Sequence, residues 1–291
     1  MTTLRPAPPQ SAPFVESLGA GREAEVTALL DADPIVNVTL AARLAAARSL
    51  IPAVLGGQVL GVRDSAGQLG AAVFNGGNLL PIGGQPAAWS ALAREVASGR
   101  RACTSIVGRR ESVAAMWDVL GRYWEAARAI RAEQPLLLID DARLLPDGDP
   151  WVRAIRPSEG EAYLYAAAAM FTEELGISPL VERGGAAYRR RIGALIAAGL
   201  AYGLVGTDGR IVFKADLGAV SAHTCQIQGV WVRPDLRGRG VGTAALATVI
   251  RHALTLAPTV SLYVNGFNEP ARRMYDTLGM RQVATLSTVL F

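Results

Sequence analysis

Residues Gln226–Thr243, QIQGVWVRPDLRGRGVGT, restrict the fold of this chain more than any other segment. Gln226–Val232 reads as a strand of branched and aromatic residues, and Pro234-Asp235 stops it. Thr243–Leu256 then has helical spacing, with Leu246, Val249, Ile250, Ala253 and Ala257 on one face. Between strand and helix lies Arg237-Gly238-Arg239-Gly240-Val241-Gly242. Glycines at such a joint let backbone N–H groups close on an anion, and the new helix adds unpaired donors and a positive dipole end. The expected ligand is a pyrophosphate, held mainly by main chain, with Arg237 and Arg239 beside it.

Other readings of these glycines fit less well. A nucleotide-triphosphate loop needs Gly-x-x-x-x-Gly-Lys-Ser/Thr, and the only lysine of the chain, Lys214, lies far upstream. A dinucleotide fingerprint needs Gly-x-Gly-x-x-Gly, and Thr243 stands where the third glycine belongs. A plain Gly/Arg surface turn stays open on the loop alone.

A second motif lies downstream. Ser261–Val264 is an apolar strand, and Asn268, Ala271, Tyr275 and Gly279 follow it at fixed spacing. Together the two motifs resemble those of the GNAT superfamily of acetyl-CoA-dependent N-acyltransferases. The loop Arg237–Gly242 matches that family's Gln/Arg-x-x-Gly-x-Gly/Ala without a gap. The second signature is Asn-x-x-Ala-x-x-x-Tyr-x-x-x-Gly-Phe, with Met280 here replacing the phenylalanine. The resemblance runs from Trp151 to Phe291.

It implies acetyl-CoA as acyl donor and direct attack of an amine on the thioester. Backbone groups of Val230, Trp231 and Val232 would pair with the pantetheine arm, and an N–H there would polarise the thioester carbonyl. Arg237, Gly238, Arg239, Gly240, Val241, Gly242 and Thr243 would surround the pyrophosphate. Asn268 would fix the cofactor arm, unless it is only the N-cap of the helix opening at Glu269-Pro270. Tyr275 is the candidate general acid for the departing thiolate, a phenol of pKa ~10 being reasonably matched to it. The alternative is a tyrosine packed on the sheet.

The general base is not legible. Some family members carry a glutamate five residues before the motif asparagine, and Tyr263 stands there. Glu173 and Glu174 at the end of a helix, and Asp216 on a strand, are the remaining carboxylates. A water chain or an amine arriving neutral would also serve.

Composition fits two domains. The chain has 291 residues, 51% of them hydrophobic, enough for two cores. Residues 151–291 hold 15 Arg+Lys against 10 Asp+Glu, a net +5, and residues 1–150 hold 14 against 15, a net −1. A mildly basic second half suits a polyphosphate ligand and argues against nucleic acid. Cys103 and Cys225 form no Cys-x-x-Cys pair, and His223 and His252 are scattered, so no disulfide framework or metal site is expected. The longest apolar run, Ile192–Gly206, is shorter than the ~20 residues of a membrane helix. A cytoplasmic protein is the expectation, and the sequence leaves its oligomeric state unknown.

The element order expected for the second half is β-α-α-β-β-β-α-β-α-β-β. A capping box is expected at Ser158 and Glu161, a hairpin at Asp208-Gly209, and two closing strands in Arg281–Phe291. The first half shows a fainter version, with a helix expected over Glu111–Arg131 and a strand over Pro135–Ile139. Its loop Pro81-Ile82-Gly83-Gly84-Gln85 lacks the arginine–glycine pattern. The expected fold class is α/β (α+β), with tandem GNAT-like mixed-sheet domains, the first degenerate and the second complete. Expected boundaries are a disordered lead at 1–13, an N-terminal domain at 14–146 and an acetyltransferase domain at 147–291.

The N-terminal part is similar to the domain of unknown function fused to GNAT domains in actinobacterial proteins. The leading functional expectation is N-acetylation of a primary amine on a small molecule, a protein terminus or a side chain. The tandem layout is similar to that of the bacterial enzyme acetylating the cysteinyl amine in mycothiol synthesis. A non-catalytic acyl-CoA sensor or scaffold is the alternative from another class.

Overall fold

The computed structural model describes residues 13–181 and 185–291, so the expected lead lies almost wholly outside the described residues. In chain order the elements are β1 (Val15–Leu18), α1 (Glu23–Asp31), α2 (Val38–Ala47), α3 (Pro52–Leu55), β2 (Gly57–Arg63), β3 (Leu69–Gly76), β4 (Leu79–Gly83), α4 (Pro86–Ser98), β5 (Ser105–Arg109), α5 (Arg110–Leu120) and β6 (Ala129–Ile139). Then come β7 (Arg153–Ala154), α6 (Gly160–Leu175), α7 (Gly185–Ala197), β8 (Ala201–Val205), β9 (Ile211–Val220) and β10 (Cys225–Val232). The chain closes with α8 (Val241–Ala253), β11 (Val260–Tyr263), α9 (Glu269–Thr277) and β12 (Arg281–Leu290).

Two compact units result. The first comprises Met1–Asp33, Ala46–Ala132 and Ser287–Phe291; the second comprises Pro34–Ala45 and Glu133–Leu286. In the first, β1 to β4 pair antiparallel in sequence order and β5 joins β4 in parallel. Its core gathers Val73, Leu79, Leu92, Ile106, Val113 and Met116 between this sheet and its helices.

The second unit repeats the plan. Strands β7 to β10 pair antiparallel in order, β11 joins β10 in parallel, and Leu136–Ile139 of β6 pair antiparallel with β11. Alternation along β9 sends Phe213, Ala215 and Leu217 to the core under α8 and α9. The opposite face carries a second cluster, where Tyr163, Leu164 and Ile192 of α6 and α7 pack with Trp231. Both faces are covered, as a mixed α/β sheet requires. The hairpin at Asp208-Gly209 is present, with Gly209 at φ 75° and the Asp208 carboxylate accepting from the Arg210 N–H.

Four local expectations are corrected. Helix α5 ends at Leu120 instead of running to Arg131: Gly121 follows, and Trp124 turns in to meet Phe291 edge-on at 5.5 Å. Strand β6 begins at Ala129, well before Pro135, because partner strands extend it beyond its own apolar run. One closing strand replaces two, since RQVATLSTVL contains no glycine, proline, asparagine or aspartate to divide it. The capping box is not at Ser158. The Glu159 carboxylate accepts from the Arg156 N–H at 2.9 Å and from Arg153 at 2.6 and 2.8 Å.

Arg153 holds the Glu159 carboxyl down at about 2, against the desolvation that opposes it. A carboxylate with a lowered folded pKa stabilises above its unfolded pKa and loses that contribution as pH falls through the folded value. Glu159→Gln should therefore lower unfolding stability by about 1–2 kcal/mol at pH 7. The difference should shrink below about pH 4.5 and vanish near 2. Urea denaturation at several pH values checks this; a pH-independent loss would mean the charge is not its source.

Candidate acyl-CoA site

The site begins where two parallel strands part. Strand β10 pairs with β11 only through Cys225 with Val260 and Gln226 with Ser261, and then continues to Val232 without it. On its other edge β10 stays with β9, but the register slips between Gln228 and Trp231. The slip is a β-bulge, with Gly229 at φ 60°. The C-terminal end of β10 thus presents one edge of backbone to an opening rather than to a strand.

The chain leaves this strand for the glycine loop. Gly238 and Gly240 have φ 72° and 78°, the left-handed region, and open space surrounds the position of a Cβ at each. These two glycines serve backbone conformation, not close packing. Gly240 is the N-cap of α8, so the first N–H groups of a 13-residue helix point out of this turn. Gly242 differs, since a Cβ there would stand 3.1 Å from Met274 Sδ and from Val232 Cγ2. It lets α9 and the end of β10 approach the first turn of α8.

Arg237 reaches back to the strand and to α6. Its Nε donates to the Val232 carbonyl at 2.9 Å and its Nη2 to Glu173 at 2.7 Å. The other Glu173 oxygen accepts from the Trp231 indole at 3.0 Å. Glu173 therefore ties the end of α6 to both β10 and the loop. Arg239 is exposed, and Thr243 lies half-buried in the first turn of α8.

Asn268 is the N-cap of α9, its side chain accepting from the Ala271 N–H at 3.3 Å. Tyr275, about two turns further, is 6% exposed. Burial raises its phenol well above the usual range, and the negative charge of Glu174 adds to the effect. Glu174 is exposed, and its charge also acts on Tyr188, whose phenol burial pushes up to about 12. Gly279 has φ 74° and a Cβ there would meet Leu144 at 3.0 Å, which accounts for the glycine that ends the motif.

Residues 147–280 match the model of the acetyltransferase (GNAT) family. They form a GNAT-family domain. Residues 57–163 match the domain of unknown function DUF4081. Among solved structures, a GNAT-family acetyltransferase from Colwellia psychrerythraea is similar with a TM-score of 0.58 at 13% identity, over 96% of this chain and 99% of that one. A GCN5-related N-acetyltransferase from Sphaerobacter thermophilus has a TM-score of 0.57 at 15% identity, over 96% of each chain. A tandem GNAT protein from the clavulanic acid biosynthesis pathway reaches 0.50 at 16% identity, over 95% and 98%. At such identities the likeness speaks for the fold. No curated protein matches the sequence.

Within the GNAT domain the structure brings Val230, Trp231, Val232, the Arg237–Thr243 loop, Glu173 and α9 with Tyr275 around one strand end. Sequence reasoning named Asp216 as a possible base but missed the buried cluster that holds it, beside these residues. Lys214 is 0% exposed and donates to Asp216 at 2.8 Å and to the Gly229 carbonyl at 2.7 Å. The Tyr163 hydroxyl donates to the other Asp216 oxygen at 2.6 Å. The signal was present: Lys214 and Asp216 stand two apart in an otherwise apolar strand, hence on one face. Among the described residues no His/Cys/Asp/Glu group could hold a metal ion, and no helix is long and apolar enough to cross a membrane.

The left-handed N-cap makes a specific demand. Gly240→Ala should cost about 1–2 kcal/mol of stability although nothing crowds the new methyl, and Gly240→Asn less, because asparagine tolerates this region better. Denaturation midpoints of the two variants check it. Equal losses would mean that something other than φ requires the glycine.

Proposed function

We propose that the second half of the chain is an acetyl-CoA-dependent N-acetyltransferase that passes acetyl to a primary amine by direct attack. The observation that carries this reading is the parting of β10 from β11, with an opening that leads along one strand into the glycine-capped start of α8. An extended thiol arm fits the freed strand edge, and a pyrophosphate fits the helix end. In the reaction the amine nitrogen bonds to the thioester carbon, the C–S bond breaks, and the thiolate takes a proton from Tyr275. The nitrogen's excess proton leaves to a carboxylate or water.

The geometry divides the two helix-end glutamates. Glu173 holds Trp231 and Arg237 with its two oxygens, which suits a positioning part. Glu174, next to it at the exposed end of α6, is the carboxylate we give the amine's proton. Arg237 acts on the loop's shape, leaving Arg239 and the backbone of Gly238–Thr243 for phosphate. The side chain of Asn268 caps α9 and aligns that helix beside the cofactor arm.

We read the first unit as a relative of the second that no longer grips a cofactor. Its strand β4 runs against β3 in unbroken register, from Ala71 with Gly83 to Asn75 with Leu79. Its loop is occupied by its own tryptophan. The Trp89 indole donates to the Gly83 carbonyl at 2.7 Å and lies 2.6 Å from where a Gly84 Cβ would be. Pro86 then removes a donor from the first turn of α4.

Calorimetric titration with acetyl-CoA should accordingly give one site per chain, and two equivalent sites would refute the degenerate reading of the first unit. For the chemistry, Tyr275→Phe keeps the ring packing and removes the proton. Acetyl-CoA affinity should hold while thiol release, measured across amine pools and peptides, falls by about 10²–10⁴. A tyrosine that only packs would instead lose about 1 kcal/mol of stability and keep its turnover. Binding of acetyl-CoA with no thiol release from any amine would favour the sensor reading.

A further inference from the structure

A buried ion pair seldom adds stability over a well-packed apolar pair, so its presence calls for a reason. This chain has one lysine, and it is wholly buried in β9. The ammonium has three donors; one goes to Asp216 and one to the carbonyl of Gly229. The Tyr163 ring lies 5.2 Å from the nitrogen, and its hydroxyl holds Asp216 from the far side. Gly229 is shaped by this cluster, because a Cβ there would sit 2.7 Å from Lys214 Nζ and 2.9 Å from Asp216. The bulge and the buried charge are therefore one construction.

The Gly229 carbonyl and the Val230 N–H belong to the same peptide group. An ammonium bonded to the oxygen draws electron density from the group and makes its N–H a stronger donor. In a trans peptide the two bonds point in opposite directions, so the N–H faces away from Lys214. Chain-internal comparison isolates the feature. The third strand of the first unit, LGAAVFNG, bears no charge, and β4 beside it has no bulge. The half without the arginine–glycine loop thus also lacks the lysine and the slip in register.

We propose that Lys214 is a positioning residue for the acyl donor: it fixes and polarises the Gly229–Val230 peptide so that the Val230 N–H donates to the thioester carbonyl. Asp216 and Tyr163 hold the ammonium in place. The inference rests on the acetyltransferase reading above and adds the source of carbonyl polarisation to it.

The test uses the full chain with [1-¹³C]acetyl-CoA and NMR detection of the thioester carbonyl. The variant is Lys214→Met/Asp216→Asn, which removes both charges together, so neither is left buried alone, and keeps an acceptor for Tyr163. Circular dichroism and acetyl-CoA affinity should match wild type. The downfield shift of the bound carbonyl seen in wild type should be lost or reduced in the variant. Turnover should drop about 10-fold, less than the ~10²–10³ that deleting an oxyanion donor costs. An unchanged carbonyl shift with acetyl-CoA bound would overturn the role of Lys214 and leave the acetyltransferase reading standing. Failure of wild type to bind acetyl-CoA would overturn that reading and this inference with it. If the double variant does not fold, Asp216→Asn alone serves. It keeps the lysine but removes its counter-charge, and an undiminished carbonyl shift together with unchanged turnover would refute the part given to Asp216.

Discussion

The parting of β10 from β11 is the constraint on which the site depends. Backbone N–H and C=O groups seek partners, and two adjacent parallel strands would ordinarily zip along their whole length. Here the ladder stops after Gln226 while β10 runs on to Val232. An opening of this kind persists only if the strand is held from its other sides. Strand β9 holds one edge, the core under α8 and α9 holds one face, and Trp231 anchors the other face among α6 and α7.

What surrounds the opening follows from that need. The Glu173 carboxylate binds Trp231 on the strand and Arg237 in the loop, so one side chain sets the distance between the strand end and the helix that receives the loop. Arg237 is thereby drawn back toward the strand end. The loop beside it is built from two left-handed glycines and a helix N-terminus, an arrangement that suits an anion held by main chain. Gly242 completes the arrangement from behind by letting Met274 and Val232 close in.

Much of the second unit was legible because its punctuation is local. Gly176 in the left-handed conformation ends α6, the Asp208-Gly209 turn joins β8 to β9, and both motifs fall on the elements their spacing implied. The first unit and the crossing strands were less so. The start of β6 and the undivided length of β12 are set by partner strands far away in sequence, and no window of ten residues contains that information. The Lys214 cluster was hidden differently. Lys214 lies 15 residues from Gly229 along the chain, and hairpin register, pairing Trp231 with Lys214, brings it to the bulge, while Tyr163 arrives from α6. Counting that register from the turn at Ser221–Thr224, which joins β9 to β10, would have exposed it.

The two units also separate what the fold needs from what the site needs. Each has four antiparallel strands, a crossover helix and a parallel fifth strand, and each buries a full apolar core. The first does so with an uncharged third strand, an even register between β3 and β4 and a tryptophan closing its loop. A bulge, a positive φ at Gly229 and a buried ammonium are therefore not conditions for folding this topology. Of the three, the buried ion pair is the one that well-packed apolar residues could replace with little or no loss of stability. The second unit keeps all three at one peptide, beside the point where β10 and β11 part, and on this we base their assignment to the acyl donor rather than to the scaffold.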